Sequence, residues 1–321
     1  MNFFAKLKKR LQWARTPDQE KQRLMESAIT LLHFDPDAQE LFRMAKEDGV
    51  DIKFSSRLTG SRTAARHVLN FGTKKQYIEI CPYTASGRLK RPEMIASDLA
   101  HELRHYWQYK QLGVTPKNAN HIDRNPRLSF VFNRVAEADA YAFQDKVMRT
   151  LKETSDAFAV FMKEFPSPTP GQAYLINREA NKKLQKLCAN NPQFLRERFV
   201  DMLKKGVLSE SYDPQEARYL HLRHTSSLAK KTDFDAVKHI PELTLADIKK
   251  VLKSGVAKNA PGYLEDMSDN QFEALVLGCA HREALEAVNL MEKFKIAVAA
   301  NDNKTAKSLR RQVEKKIYKL K

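Results

Sequence analysis

Two histidines and a glutamate stand close together at residues 101–105, in the order His-Glu-Leu-Arg-His. If this stretch is helical, His101 and His105 lie on the same face, because residues four apart are neighbours on an α-helix. Two imidazoles at that spacing can bind one divalent ion. Glu102 is then placed to accept a proton from a water molecule beside the ion. The pentapeptide therefore predicts a metal-dependent site of the HExxH type.

The residues around the pentapeptide favour a helix from Pro92 to Leu112. Proline is well tolerated in a first helical turn, and Gly113 stands where a helix of this length would end. Apolar residues recur every fourth position and predict one buried face: Ile95, Leu99, Leu103 and Trp107. An amphipathic helix that merely carries two histidines near its polar face is the simpler alternative, and a third ligand would argue against it.

The third ligand is expected on a second helix. Gln108 and Gln111 occupy the positions where metzincin peptidases carry a glycine and a third histidine, so that subclass is excluded. Residues 113–127 contain prolines and asparagines typical of a loop, and residues 128–151 form an alanine-rich segment that predicts a helix. Glu137 lies in that helix and is the obvious candidate ligand.

The stretch from His101 to Gln108, followed by the run Glu-Ala-Asp-Ala at 137–140, resembles the gluzincin-type metallopeptidases, and most closely an uncharacterised bacterial family of them. The spacing of Glu137, Ala140 and Phe143 also resembles the E-x-x-A-x-x-F signature of bacterial peptidases that cleave repressors. The likeness extends over residues 50–148.

The resemblance implies a zincin-like domain with zinc bound by His101, His105 and Glu137 and with Glu102 as general base. Tyr141 is a departure, because relatives often carry Asp or Asn at this position. The resemblance therefore leaves the hydrogen-bonding partner of the histidine rings unassigned.

The strand signals are confined to a short region before the HExxH segment. Val50–Phe54 alternates in hydrophobicity, and residues 67–71 and 76–80 read as a hairpin. Together with the helical patterns, they predict a predominantly helical α+β fold with a small antiparallel sheet. By analogy with zinc peptidases, the strand Tyr77–Cys81 is expected either to receive substrate as an added strand or merely to cover the core.

A proline-rich stretch suggests a domain boundary. Pro166, Pro168 and Pro170 alternate with other residues and favour an extended connector. We therefore expect a zincin-like domain at 1–165 and a helical region at 172–321, which could complete the cleft. A residue in that region or near Glu137 could stabilise an oxyanion. Five residues are candidates for this role: Arg134, Tyr141, Tyr212, His221 and His224.

Composition indicates the class of protein and its cellular compartment. Its 321 residues are 42% hydrophobic and can bury a large core. Three distant cysteines cannot form a disulfide framework and suggest a cytoplasmic protein: Cys81, Cys188 and Cys279. No apolar run is long enough to predict a transmembrane segment, and the charged beginning lacks the apolar core of a secretory signal.

The formal charge of +17 is concentrated at the two ends of the chain. Residues 1–15 hold five lysines and arginines with no acid, and residues 304–321 hold eight against one glutamate. These termini could contact nucleic acid or an anionic surface, or could be ordinary solvated helices. Three functions stay open: a zinc metallopeptidase acting on proteins or peptides, a nucleic-acid-associated helical protein, and a metal-binding scaffold or effector without peptidase activity. An intact Glu102 favours the first, because a scaffold needs no base.

Overall fold

The protein is predominantly helical with one small sheet. In a computed structural model, the residues described are 18–55, 58, 64–70, 72–84, 86–164, 191–225 and 237–320. The basic segment 1–15, the proline-rich connector and residues 172–190 of the expected helical region lie outside the described residues. The boundary placed between 165 and 172 therefore stays a prediction.

The elements that surround the HExxH segment come from the first half of the chain. They are α1 (Asp18–Leu32), α2 (Pro36–Glu47), β1 (Asp51–Phe54), β2 (Ala65–Asn70), β3 (Lys75–Ile80), α3 (Pro92–Gln111) and α4 (Pro126–Glu164), with a 3-10 helix at Ala119–Arg124. The second half is helical, with α5 (Asn191–Lys204), a π-helical turn (Leu208–Tyr212), α6 (Asp213–His224), α7 (Leu245–Lys249), α8 (Asp269–Gly278), α9 (Arg282–Ala299) and α10 (Asn303–Lys319).

Local sequence explains where the two central helices begin and end. Helix α3 ends before Gly113, whose φ of 64° is the left-handed conformation that favours glycine. Helix α4 begins at Pro126, two residues earlier than expected. The Asn125 side chain accepts the Leu128 N–H at 3.0 Å and acts as the N-cap, and proline fits the first turn. The expected loop at 113–127 is confirmed only as far as Asn125, and it contains the 3-10 helix.

The sheet is mixed rather than antiparallel. Strand β3 lies in the middle, pairing antiparallel with β2 and parallel with β1. The predicted hairpin is thus confirmed, while the antiparallel prediction is wrong for β1. After β1 the chain returns as β2 two strand positions away, and β3 then fills the position between them. Alternating hydrophobicity predicts strands but carries no information on this order.

The strand order also corrects the expected substrate edge. Because β3 is hydrogen-bonded on both sides, the strand Tyr77–Cys81 has no edge to offer and cannot take an added strand there. The edges of the sheet are β1 and β2. Strand β2 reaches the HExxH helix through a hydrogen bond from the His67 N–H to Glu102.

The chain forms two compact units, each with its own core. The first contains the described residues up to Trp107, those of Ala142–Leu195, and Lys253–Pro261. Its core includes Leu41, Ile78, Leu103 and Phe143. The second contains Gln108–Tyr141 and the described residues of Arg196–Leu252 and Gly262–Lys321. Its core includes Phe130, Leu220, Val288 and Val313. Helices α3 and α4 each contribute residues to both units.

A buried cation fastens α4 within the first unit. The Lys146 side chain is 1% exposed, and its Nζ donates to Asp35 at 2.7 Å and to Asp37 at 2.6 Å. Asp35 is fully buried, also caps α2, and accepts from Thr150 Oγ1 at 3.0 Å. Burial alone would raise the pKa of Asp37, but the ammonium group of Lys146 outweighs it and holds that pKa below its ordinary value.

We predict that Lys146→Met lowers the free energy of unfolding by about 3–5 kcal/mol at pH 7, because two carboxylates lose their buried cation. Urea denaturation measures this. Lys152→Met, at an exposed position on the same helix, is the control and should change stability little.

The stability that Lys146→Met removes should depend on pH. A folded-state pKa below the unfolded value makes Asp37 stabilising above about pH 4. That stabilisation disappears as the pH falls through the lower folded-state value. The difference between Lys146→Met and the wild type should therefore be largest near neutrality and shrink on acidification. A constant difference from pH 7 to pH 3 would contradict this assignment.

Candidate metal centre

Three of the predicted site residues converge. His101 Nε2 and His105 Nε2 lie 3.1 Å apart on α3. One ligand atom from each histidine and one Glu137 carboxylate oxygen all lie within 4.8 Å of one another. His101 is buried, and the other two residues are half-buried. The expected juxtaposition of two helical histidines with Glu137 on the following helix is therefore present.

The donor set suits a divalent transition metal. Zinc accepts imidazole nitrogen at 2.0–2.1 Å, so two nitrogens on one tetrahedral ion are about 3.3 Å apart. The observed separation of 3.1 Å is close to that value. Two neutral nitrogens and one carboxylate oxygen are typical of catalytic zinc sites, which leave a fourth position open. The three residues therefore fit zinc in chemistry, and the two histidines also fit it in spacing.

Two side-chain contacts between α3 and α4 bracket the cluster. Gln144 Nε2 donates to Ser97 Oγ at 2.6 Å, and Gln108 Nε2 donates to the Ala136 carbonyl at 2.9 Å. On each helix, the candidate metal ligands lie between these contact points. The helices run antiparallel, because the contact further along α3 falls nearer the start of α4.

The Gln108 contact continues into a buried network next to Glu137. The same Nε2 donates to Asp139 Oδ2 at 2.7 Å, and Tyr263 donates its hydroxyl to Asp139 Oδ1 at 2.7 Å. Gln108 and Asp139 are fully buried. Ala136 and Asp139 flank Glu137 in sequence, so this network fixes the rotation of α4 at the ligand. Asp139 thus accepts hydrogen bonds from both Gln108 and Tyr263.

Glu102 is positioned by the sheet. Glu102 is buried, with 6% of its surface exposed, and its Oε2 accepts a hydrogen bond from the main-chain N–H of His67 at 2.6 Å. His67 belongs to β2, so the edge strand approaches α3 at the candidate base. This hydrogen bond holds the carboxylate of the candidate base in one position.

His67 is a neighbour of the candidate site that the sequence patterns do not identify. Burial lowers the pKa of its imidazole to about 3, and the neighbouring His105 contributes in the same direction. The ring is therefore neutral at physiological pH and lies within electrostatic reach of a ligand histidine. Its location in the strand before the HExxH helix is the signal that could have identified it.

Asp98 is a second neighbour that sequence reasoning missed. It precedes His101 by three residues, so the two share a face of α3. Burial raises the pKa of the Asp98 carboxyl group, while Lys90, 2.6 Å away, and His101 both act to lower it. The three-residue spacing was visible in the sequence, but the contact with Lys90 was not.

The structure separates the five oxyanion candidates into two groups. Arg134 is 1% exposed and forms an ion pair with Asp213. His221 Nδ1 contacts Thr225 Oγ1 at 2.6 Å, and His224 Nε2 contacts a main-chain carbonyl at 2.7 Å. These three side chains are engaged in local structure.

The two tyrosines remain as candidates for that role. The hydroxyls of Tyr141 and Tyr212 lie 3.1 Å apart. Tyr141 is one helical turn beyond Glu137, so it lies on the same face of α4 as the ligand. This face can therefore present a phenolic O–H close to the metal-binding carboxylate.

We predict that Asp139→Asn weakens zinc binding about 10–100-fold, the range typical of losing a group that orients a ligand. An amide offers one acceptor oxygen where Gln108 and Tyr263 both donate, so Glu137 loses part of its support. Zinc titration of the metal-free protein, followed by calorimetry, measures the affinity.

Thr150→Val is the matched control. Thr150 lies further along the same helix, and the change removes a buried hydrogen bond from its hydroxyl to the Asp35 carboxylate. It should lower stability while leaving zinc affinity unchanged. If Asp139→Asn lowered the free energy of unfolding but bound zinc as tightly as the wild type, the network would have no role in positioning Glu137.

Comparison with known proteins adds no relative: no family model, no curated protein and no solved structure matches this chain. Among the described helices, none is long and apolar enough to cross a membrane. The resemblance to gluzincin-type peptidases thus rests on the two short motifs.

Proposed function

We propose that the protein is a zinc-dependent metallopeptidase that hydrolyses peptide bonds, with His101, His105 and Glu137 as ligands. The proposal is carried by the convergence of these three ligand atoms within 4.8 Å of one another, next to the buried carboxylate of Glu102. Structural zinc sites usually have four ligands and are rich in cysteine. A set of two histidines and one glutamate beside a carboxylate fits a catalytic site better.

Glu102 is the proposed general base. Zinc, when bound, supplies positive charge that promotes ionisation of water and polarises a peptide carbonyl. Glu102 takes the proton from the attacking water and later gives it to the leaving amine. The N–H of His67 holds this carboxylate in one place, so proton transfer starts from a fixed geometry.

Two further elements of the chain serve the substrate in this proposal. The hydroxyl of Tyr141, on the face of α4 that carries Glu137, and the hydroxyl of Tyr212, 3.1 Å from it, are the candidates to donate a hydrogen bond to the oxyanion. Strand β2 takes the place first expected for the strand Tyr77–Cys81, because it is an edge strand and contacts Glu102. The His67 N–H on this edge is already bonded to Glu102, so an extended peptide that pairs with β2 beyond His67 would pass beside the proposed base.

Metal content provides the first test. Elemental analysis of the purified protein should find about one zinc per chain, as expected for a single three-ligand site. Glu137→Ala should lose most of this metal, because two histidines alone bind weakly. His121→Ala is the control, since His121 is a buried histidine outside the cluster. Loss of zinc in the control and retention in Glu137→Ala would contradict the ligand assignment.

The role of the base is tested by Glu102→Gln. Glutamine keeps the shape and an oxygen that can accept the His67 N–H, so zinc content and fold should persist. Cleavage of a quenched fluorescent peptide library should fall about a hundredfold or more, as expected when general-base assistance is lost. Glu93→Gln, at an exposed position in the first turn of the same helix, should retain full activity. Undiminished cleavage by Glu102→Gln would eliminate this mechanism.

A further inference from the structure

Helix α10 (Asn303–Lys319) divides its surface sharply between an apolar face and a basic face. The apolar face is formed by Ala306, Val313 and Ile317, with Leu320 just beyond the helix. Val313, Leu320 and Ile317 belong to the core of the second unit. The helix is therefore held on the protein by its apolar side, and the opposite side faces solvent.

Five basic side chains form a single exposed row on that opposite side, here called the basic stripe: Lys304, Lys307, Arg311, Lys315 and Lys319. They follow one another at intervals of three or four residues, so they lie on one face of the helix. At 1.5 Å per residue, the basic stripe is about 22 Å long.

The basic stripe differs from its flanks in lacking internal counterions. Lys316 pairs with Glu286 of α9, and Arg310 lies 3.7 Å from Glu314. For the five stripe residues, no ion pair is formed with any acid in the part of the chain that the structure describes. Charges placed in a row without local partners create a positive field along the helix.

We propose that the basic stripe binds the phosphate backbone of nucleic acid. Nucleic-acid interfaces are polar and strongly positive, and a row of Lys and Arg along one helix is their electrostatic footprint. The net charge of +17 adds long-range attraction to a polyanion. At the end of the basic stripe, the ring of Tyr318 is 75% exposed and is available to stack on a base.

The arrangement of the helix argues against a membrane or another protein as the partner of the basic stripe. An amphipathic helix binds a membrane by inserting its apolar face, and here that face is buried in the protein core. A protein interface usually has an apolar centre depleted of charge, whereas the basic stripe has charge along its whole length. The proposal does not depend on zinc or on peptide hydrolysis.

The test measures the binding of the full-length protein to a labelled oligonucleotide of mixed sequence, as duplex and as single strand, over a range of salt concentrations. The key variant combines Lys307→Gln, Arg311→Gln and Lys315→Gln. Each phosphate contact contributes about 0.9 to the salt slope on duplex DNA, so removing three should make the slope shallower by about 3. Affinity at low salt should fall about tenfold or more.

The control removes the same charge elsewhere. Lys117→Gln, Lys152→Gln and Lys258→Gln change three exposed lysines on separate segments, and the salt slope should stay as in the wild type. A third variant replaces Lys307 and Lys315 by arginine and should retain binding. Circular dichroism checks that the glutamine variant keeps its helix, which is expected because glutamine is a good helix former.

Three results would overturn the proposal. One is an equal loss of oligonucleotide affinity in the stripe variant and in the control, which would mean that only net charge matters. Another is an unchanged salt slope in the stripe variant. The third is binding to polyglutamate, or to vesicles of phosphatidylcholine and phosphatidylserine, that is as tight as binding to the oligonucleotide and equally sensitive to the stripe variant. Zinc content should be the same in all variants, so failure here is separate from failure of the peptidase proposal.

Discussion

The candidate metal centre depends on the register between α3 and α4. Its ligands come from two helices, so the site exists only while the helices keep one axial position and one rotation. Rotating α4 by a single residue would turn Glu137 through about 100° and remove its carboxylate from the histidines. Apolar packing alone specifies such a register weakly, because similar side chains can exchange places. The hydrogen bonds from Gln144 to Ser97 and from Gln108 to the Ala136 carbonyl, on either side of the ligands, supply directional contacts that only one register satisfies.

Helix α4 is held by buried polar groups along much of its length. Arg134 pairs with Asp213, Asp139 accepts from Gln108 and Tyr263, and Lys146 binds Asp35 and Asp37. Each of the three α4 side chains is no more than 1% exposed. Buried ion pairs contribute little net stability, because desolvation offsets most of the attraction. They do penalise misplacement heavily, since a shifted helix would leave charges buried without partners. On this view, the polar groups of α4 act mainly on specificity, and they set the position of Glu137 more than they raise the free energy of unfolding.

Much of the site was predictable from sequence because its signals are local. The bounds of α3 follow from proline, glycine and an apolar period, and the pairing of His101 with His105 follows from helical spacing. Glu137 follows from its place in the helix after the loop, and the resemblance to a known motif supports it. The Asp139 partners were out of reach, because Tyr263 is far away in the chain and no pattern links the two residues. The prediction of an antiparallel sheet failed for the same reason. Strands β1 and β3 are neighbours in the sheet although β2 lies between them in the sequence, and hydrophobic alternation does not encode which strand is the neighbour.

The small sheet has a larger part in the proposed chemistry than its size suggests. Successive N–H groups of a strand point to opposite sides, so only every second residue of β2 can face α3. His67 faces it, and the pairing of His67 with Ile78 on β3 fixes which N–H reaches Glu102. A slip of one residue between β2 and β3 would turn this N–H away and flip the neighbouring side chains to the other face. The central strand β3, bonded on both sides, resists such a slip. The β2–β3 register therefore sets the position of the general base, as the α3–α4 register sets the position of the third ligand.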